Sequence, residues 1–173
     1  MIYIIAGPSH VGKTFLSQYL LEKYKYPYLS QDLLKMGLIK SHNTSLTALS
    51  SDRELTALLW PITCQIIKTA LENNQNLIVE GCYVPFDYKT HFDMSELAQI
   101  KYLCLIFSKD YLINHFYDIV DYENVIEKRL PGDYNLKEAL DDNALWLIKS
   151  RYFSNNYYLI DKRYPNFALD LDL

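Results

Sequence analysis

Short apolar runs alternate with longer amphipathic stretches along the chain. Five runs are bounded by polar residues, Gly or Pro and are too short for helices: Ile2–Ala6, Tyr26–Leu29, Leu77–Val79, Tyr102–Phe107 and Tyr157–Ile160. The first, third and fourth runs do not alternate with polar residues, which is typical of strands buried on both faces of a parallel sheet. The pattern therefore predicts five strands in a sheet that helices cover.

The stretches between these runs carry apolar residues at helical spacing. They predict helices after Lys13, at 33–38, and over Asp52–Asn74, Asp110–Ile126 and Leu136–Phe153. Because Pro61 lies inside the long central pattern, we expect a kink or two abutting helices there. Alternating strands and helices predict an α/β three-layer sandwich with a five-stranded parallel sheet. No linker divides the chain, so we expect a single domain over residues 1–173.

The first predicted strand runs into Gly7-Pro8-Ser9-His10-Val11-Gly12-Lys13-Thr14, which fits the pattern G-x-x-x-x-G-K-[ST] at every position. A loop of this kind directs backbone N–H groups at the β-phosphate of a nucleotide, at the positive end of the next helix. Lys13 would supply a cation to the β- and γ-phosphates, and Thr14 a hydroxyl to Mg²⁺. The alternative is a Gly-bounded turn with a surface lysine. His10 stands where many such loops carry Gly, so we expect it in a left-handed conformation. Whether the His10 ring lies near the γ-phosphate stays an open question.

Composition and charge narrow the classes of partner. The chain has 173 residues, of which 50% are hydrophobic and 22% charged, with a net charge of −4. This charge argues against a broad nucleic-acid surface. No apolar run approaches the roughly 20 residues of a membrane span. No basic leader precedes the first strand, and the three cysteines lack metal-ligand spacing. We therefore expect a cytoplasmic protein without nucleic-acid or membrane partners, and its oligomeric state stays open.

Three motifs together resemble the P-loop kinases of small molecules, a group that includes adenylate kinase, shikimate kinase, gluconate kinase and the zeta toxins. They are the phosphate loop, Asp32 after the second strand, and the pair Glu80-Gly81 closing the third. Stretches such as 26–30 and 77–83 are similar to a bacterial branch labelled adenylate kinase or 2-phosphoglycerate kinase. The resemblance implies phosphoryl transfer from ATP with Mg²⁺, an acceptor-binding segment at about 30–60 and a small lid at about 109–135.

The resemblance also implies roles on the acceptor side. The carboxylate matching Asp32 holds the acceptor hydroxyl and can take its proton; the alternative is an N-cap for the next helix. Glu80 would orient the water shell of Mg²⁺ or the acceptor, and Gly81 would let the backbone approach a ligand closely. Tyr83 would line the acceptor pocket beside Cys82, which we interpret as a small apolar filler rather than a reactive thiol.

In relatives, lid arginines cover the transferred phosphoryl group. Arg129 is the one arginine of residues 109–135, so we predict it as the lid cation; the alternative is an exposed arginine at a helix end. Arg151 is the second candidate, and Arg53 a weaker one on the acceptor side. Residues 157–165 are expected near the adenine ring. The sequence identifies no base-reading residue there, and the choice between ATP and GTP as donor stays open.

The balance of charge favours one acceptor class. The chain has only four arginines, and residues 109–142 carry nine acidic side chains against four basic ones. Several converging arginines are the usual means of gripping two phosphorylated substrates. We therefore predict transfer to a small hydroxylated metabolite, with an adenylate-kinase-like nucleoside monophosphate kinase as the alternative. A nucleotide-binding sensor or scaffold without transfer activity is a further alternative, whereas the N-K-x-D motif of regulatory GTPases is absent from the sequence.

Overall fold

A computed structural model describes the fold of residues 1–122 and 134–170. Its sheet contains five strands: β1 (Ile2–Ala6), β2 (Tyr28–Ser30), β3 (Leu77–Gly81), β4 (Ile100–Phe107) and β5 (Tyr157–Ile160). Their order is β2-β3-β1-β4-β5, and every neighbouring pair is parallel. The predicted five-stranded parallel sheet is therefore confirmed, with the wholly buried β1 at its centre.

Seven α-helices belong to the described residues. They are α1 (Lys13–Tyr24), α2 (Gln31–Lys40), α3 (Asp52–Glu72), α4 (Met94–Leu97), α5 (Lys109–Asp121), α6 (Leu136–Tyr152) and α7 (Phe167–Asp170), and a 3-10 turn covers Tyr88–His91. In these parts of the chain, none of the helices has the length and apolar character needed to cross a membrane.

The two faces of the sheet pack against different helices, because successive strand residues point to opposite sides. Ile2 and Ile4 of β1 pack with α3 and the second half of α6. Tyr3 and Ile5 pack with α1 and α5 on the other face. This arrangement confirms the three-layer sandwich. A smaller cluster, formed around Leu55, packs α2 against the first turns of α3.

The structure corrects the predicted bounds near the carboxyl edge of the sheet. The second strand was predicted at Tyr26–Leu29, but β2 starts two residues later and ends at Ser30. The third apolar run ends at Val79, and β3 continues through Glu80 to Gly81, the pair expected to close this strand. Ser30, Glu80 and Gly81 thus belong to the sheet, where hydrogen bonds to neighbouring strands fix their position.

Two helix predictions also change. One continuous helix spans Asp52–Glu72, so of the two alternatives at Pro61 the two abutting helices are excluded and the kink stays a prediction. Pro61 leaves the Ala57 carbonyl without a helical donor, but both residues are exposed and water can replace that donor. α5 ends at Asp121 and has a non-helical residue at His115 (φ −126°, ψ 15°). The last residues predicted for this helix, 123–126, lie outside the described residues.

Candidate active site

The loop between β1 and α1 has the backbone form of a phosphate-binding nest. Gly7, His10 and Gly12 have positive φ angles of 143°, 66° and 88°. The expected left-handed conformation of His10 is thus confirmed. Turns of this kind point successive N–H groups into one concavity, which favours an anion there.

Close packing is a second reason why the loop has glycine at positions 7 and 12. A Cβ atom on Gly7 would overlap the carbonyl oxygen of Leu105 in β4. A Cβ atom on Gly12 would overlap the hydroxyl of Tyr164. The loop therefore fits against β4 on one side and the C-terminal segment on the other, and neither glycine can gain a side chain without displacing a neighbour.

Lys13 directs its ammonium back across this loop. Only 7% of the residue is exposed, and its Nζ donates a hydrogen bond to the carbonyl oxygen of Pro8 at 2.8 Å. A buried ammonium needs such an acceptor, because losing its hydration is otherwise costly. Thr14, the next residue of α1, is half-buried. The cation and the hydroxyl expected from the motif both lie at the start of α1.

Aromatic contacts hold the loop on two sides. The His10 ring stacks on Tyr134, with centroids 3.9 Å apart, and Tyr134 stacks in turn on Phe116 of α5 at 5.7 Å. Tyr164 donates a hydrogen bond from its hydroxyl to the Val11 carbonyl oxygen at 3.3 Å. Burial raises the pKa of Tyr164 well above its usual value, so this hydroxyl keeps its proton at neutral pH. The segment expected near the adenine ring thus reaches the loop, while the adenine contacts themselves stay a prediction.

The ends of β2 and β3 lie beside the loop at the same edge of the sheet. Gly81 is in register with Ala6, the residue that precedes the loop, and Glu80 is in register with Ser30. Glu80 is 1% exposed, so a buried carboxylate stands at this edge. The Ser30 hydroxyl is also buried and has no hydrogen-bond partner among the described residues.

Asp32 lies in the first turn of α2 rather than at its N-cap. The N-cap position belongs to Ser30, whose side chain makes no capping bond, so the interpretation of Asp32 as a helix cap is wrong. Asp32 instead accepts a hydrogen bond at Oδ1 from Lys35 Nζ at 2.5 Å. The Asp32 side chain is 38% exposed, and its carboxylate is therefore accessible.

Gln31 connects α2 to the segment that follows β3 and is fully buried. Its Oε1 accepts a hydrogen bond from the Tyr83 N–H at 3.0 Å. Its Nε2 donates to the Tyr83 carbonyl at 3.4 Å and to Thr63 Oγ1 at 3.3 Å. A Cβ atom on Gly81 would collide with the Gln31 side chain. Gln31 is thus a close neighbour of Gly81 in the structure, and the approach of a ligand to this backbone stays a prediction.

Tyr83 is a buried residue that contacts Lys35. It is only 4% exposed, and its place in an acceptor pocket stays a prediction. Its hydroxyl accepts a hydrogen bond from Lys35 Nζ at 2.9 Å, and that ammonium lies 5.1 Å from the centroid of the Tyr83 ring. Burial, followed by nearby anionic groups, raises the pKa of Tyr83 far above its usual value, so the phenol stays neutral.

Charged groups from the loop and from α2 affect the pKa of the Cys82 thiol. Burial raises the pKa of Cys82 to about 11, while Lys13 and Lys35 act in the opposite direction and Asp32 reinforces the increase. A thiol with this pKa is protonated at neutral pH, which agrees with the interpretation of Cys82 as a filler. Lys13 follows β1 and Asp32 follows β2, so both lie at the same edge of the sheet, with β3 between these two strands; we call this region the cleft.

More carboxylates gather where α3 and α6 begin. The pKa of Asp142 is raised by partial burial and by the nearby charges of Asp52, Glu138 and Asp141. Asp52 also acts on Cys82, which connects this acidic group with the cleft. Asp32 and Asp52 therefore both act on Cys82, where Lys13 and Lys35 act in the opposite direction.

Two of the three predicted arginines lie among the described residues. Arg129, the expected lid cation, lies outside the described residues, as does most of the loop between α5 and α6. Arg151 donates from Nε to the Tyr157 hydroxyl at 3.2 Å and is thereby engaged with β5. Arg53 is exposed in the first turn of α3.

Solved structures share this fold over almost the whole chain. A protein of Chloroflexus aurantiacus with a provisional kinase name has a TM-score of 0.55 at 20% identity, over 99% of this chain and 91% of its own. Shikimate kinase from Bacteroides thetaiotaomicron has a TM-score of 0.50 at 16% identity, with 93% and 85% covered. The tunicamycin resistance protein of Deinococcus radiodurans has a TM-score of 0.51 at 15% identity, with 91% and 84% covered.

These similarities show that the chain has the fold of P-loop small-molecule kinases. They do not support the narrower label of adenylate kinase or 2-phosphoglycerate kinase. No protein-family model matches the chain, and no curated protein matches its sequence.

Three residues of the site were not found from the sequence. Lys35 stands three positions after Asp32, a spacing that places both on one helical face and could have suggested the pair. Gln31 and Tyr164 gave no such signal, because their partners lie 52 and 153 positions away in the chain.

Proposed function

We propose that this protein transfers the γ-phosphoryl group of ATP to a hydroxyl of a small metabolite that carries no phosphate. The observation that carries the proposal is that the phosphate loop after β1 and Asp32 after β2 lie at the same edge of the sheet, with the end of β3 between them. A phosphate loop on one side of a cleft and an accessible carboxylate on the other are the two parts that transfer to a hydroxyl needs.

The donor half rests on the loop. Its N–H groups and the Lys13 ammonium would hold the β- and γ-phosphates, and the ammonium would exchange the Pro8 carbonyl for phosphate oxygen. This exchange favours the phosphate, because its oxygens are anionic and pair with the ammonium as ions, whereas the Pro8 carbonyl is a neutral acceptor. Since the loop already has its curved form, nucleotide binding requires little rearrangement.

The chemistry of the donor set fits Mg²⁺. The Thr14 hydroxyl and the Glu80 carboxylate are oxygen ligands of the kind that Mg²⁺ takes, with water and phosphate oxygens completing its shell. The buried Ser30 hydroxyl next to Glu80 could bind one of those waters. When bound, the ion would neutralise charge that develops on the phosphates. In the described part of the chain, no group of three or more His, Cys, Asp or Glu side chains forms a metal site by itself.

The acceptor half rests on Asp32. Because its Oδ1 is engaged by Lys35, Oδ2 would accept the proton of the acceptor hydroxyl. The acceptor oxygen then forms a bond to the γ-phosphorus, the bond from that phosphorus to the β,γ-bridging oxygen breaks, and ADP leaves with the electron pair. The charges of Asp32 and Asp52 would disfavour an acceptor that carries its own phosphate.

The test is a coupled assay of ADP release with ATP, Mg²⁺ and a panel of glycerol, gluconate, shikimate, glucosamine and AMP, with product masses measured. We expect transfer to at least one acceptor that lacks phosphate. Lys13→Met should lower turnover by about 10²–10³-fold and Asp32→Asn by about 10²–10⁴-fold, the latter with ATP affinity nearly unchanged. Lys40→Met, at the exposed end of α2, is the matched control. Transfer to AMP alone would replace the proposed acceptor class, and ATP binding without transfer to any acceptor would favour the nucleotide sensor.

A further inference from the structure

The accessible carboxylate of Asp32 is backed by a largely buried cation. Lys35 Nζ lies 2.5 Å from Asp32 Oδ1, and 13% of the Lys35 side chain is exposed against 38% for Asp32. An exposed ion pair at this helical spacing contributes little to stability, because water screens both charges. Lys35 differs from such a surface partner, since much of its ammonium's hydration is lost and that loss needs compensation.

Tyr83 supplies part of that compensation. Its hydroxyl accepts a hydrogen bond from Lys35 Nζ at 2.9 Å. Two of the three ammonium protons are thus donated to fixed acceptors, the Asp32 carboxylate and the Tyr83 hydroxyl. The Tyr83 backbone is in turn held by both polar atoms of the Gln31 side chain. The ammonium is therefore fixed relative to β3, not merely attached to its own helix.

This geometry leaves one carboxylate oxygen for the acceptor. Among the described residues, Lys35 is the one group hydrogen-bonded to the Asp32 side chain, and it uses Oδ1. A carboxylate held at one oxygen has a restricted rotamer, so its second oxygen points in a defined direction. Proton transfer depends on that direction, because misplacement by about 1 Å can cost about 100-fold in rate.

We propose that Lys35, held by Tyr83, is a positioning residue that orients Asp32 toward the acceptor hydroxyl. The proposal rests on the proposed function. It adds Lys35 and Tyr83 as residues that affect phosphoryl transfer through the orientation of Asp32. Lys35 and Tyr83 themselves need no contact with ATP or the acceptor. Their removal should therefore lower kcat and leave nucleotide binding unchanged.

The experiment compares Lys35→Met, Lys35→Arg and Tyr83→Phe with wild type, using the panel acceptor that wild type turns over fastest. We expect Lys35→Met to lower kcat about 10–100-fold and Tyr83→Phe about 3–10-fold, with the Kd for ATP within about 3-fold of wild type by calorimetry. Lys35→Arg should recover part of the activity, because it restores a cationic donor. Lys40→Met, on the same helix, should match wild type.

A double variant separates positioning from a general structural role. If Lys35 acts through Asp32, adding Lys35→Met to Asp32→Asn should lower kcat by no more than about 2-fold further. An equal loss in both backgrounds, or wild-type kcat in Lys35→Met and Tyr83→Phe, would overturn the proposal while leaving the kinase function intact. Wild type that phosphorylates no acceptor would overturn the kinase function and this proposal together. If Lys35→Met fails to fold, Tyr83→Phe alone decides, since it removes one hydroxyl.

Discussion

Replacing Gly81 with alanine should destabilise the protein, whereas the same change at Gly37 should stabilise it. A Cβ atom on Gly81 would lie 2.7 Å from the Cβ of Gln31 and 2.9 Å from its Cδ. The Gln31 side chain cannot turn away easily, because hydrogen bonds to Tyr83 and Thr63 hold its amide. Gly37 lies inside α2, is exposed, and has no atom within 4 Å of an added Cβ.

The two effects differ in sign and can be estimated. Overpacking of a tightly filled site costs about 1–3 kcal/mol, so Gly81→Ala should lower the free energy of unfolding by that amount. Gly37→Ala should raise it by about 0.5–1 kcal/mol, because alanine restricts the unfolded chain and favours helix. For a protein of this length, each kcal/mol shifts Tm by about 2–4 °C. The two variants should therefore melt on opposite sides of wild type.

Urea denaturation of the variants and of a double mutant measures these values. In a Gln31→Ala background the contacts with the side-chain amide are gone and only the contact with the Cβ of residue 31 remains, so Gly81→Ala should cost less there than in wild type. Gln31→Ala alone should be destabilising, since it leaves the buried Tyr83 N–H and carbonyl without partners. Gly81→Ala with the stability of wild type, or with an equal cost in both backgrounds, would refute the packing described for Gln31.

Two smaller predictions concern the loop and the acidic group near α6. Tyr164→Phe removes the hydrogen bond to Val11 and should weaken ATP binding about 2–10-fold by calorimetry; unchanged affinity would show that the loop keeps its form without that bond. The pKa of Asp142 is raised by partial burial and by Asp52 among other acids, so the folded state binds its proton more tightly than the unfolded state. Wild type should thus lose stability relative to Asp142→Asn as the pH rises above about 4, and parallel stability curves from pH 4 to 7 would contradict this.

The phosphate loop could be predicted because its information is local. Eight consecutive residues fix its turns, and their pattern follows directly from the needs of an anion. The left-handed form of His10 was likewise predictable, since the position demands positive φ whatever residue occupies it. The strand pattern of β1 and β4 was equally clear, because both faces of these strands are buried.

The acceptor side could be predicted only in part because its contacts are distant in sequence. Asp32 and Glu80 were proposed from the strand ends, but the partner of Gly81 is a glutamine 50 positions earlier. The backbone pairing of Tyr83 with Gln31, 52 positions away, likewise has no local signal in the sequence. Periodicity predicts which residues are buried on one face of an element, but it does not predict which buried polar groups form hydrogen bonds with one another.

Different constraints hold the two halves of the site, and this difference bears on how acceptor choice can vary. The loop depends on backbone form, so its residues have little freedom while nucleotide must bind. The corner formed by α2 and the end of β3 depends on side-chain pairs, above all those of Gln31 and Lys35 with Tyr83. These pairs fix where Asp32 stands but leave the exposed face of α2 free to change. Acceptor selectivity should therefore be altered by substitutions on that face, with the donor half and the orientation of Asp32 kept intact.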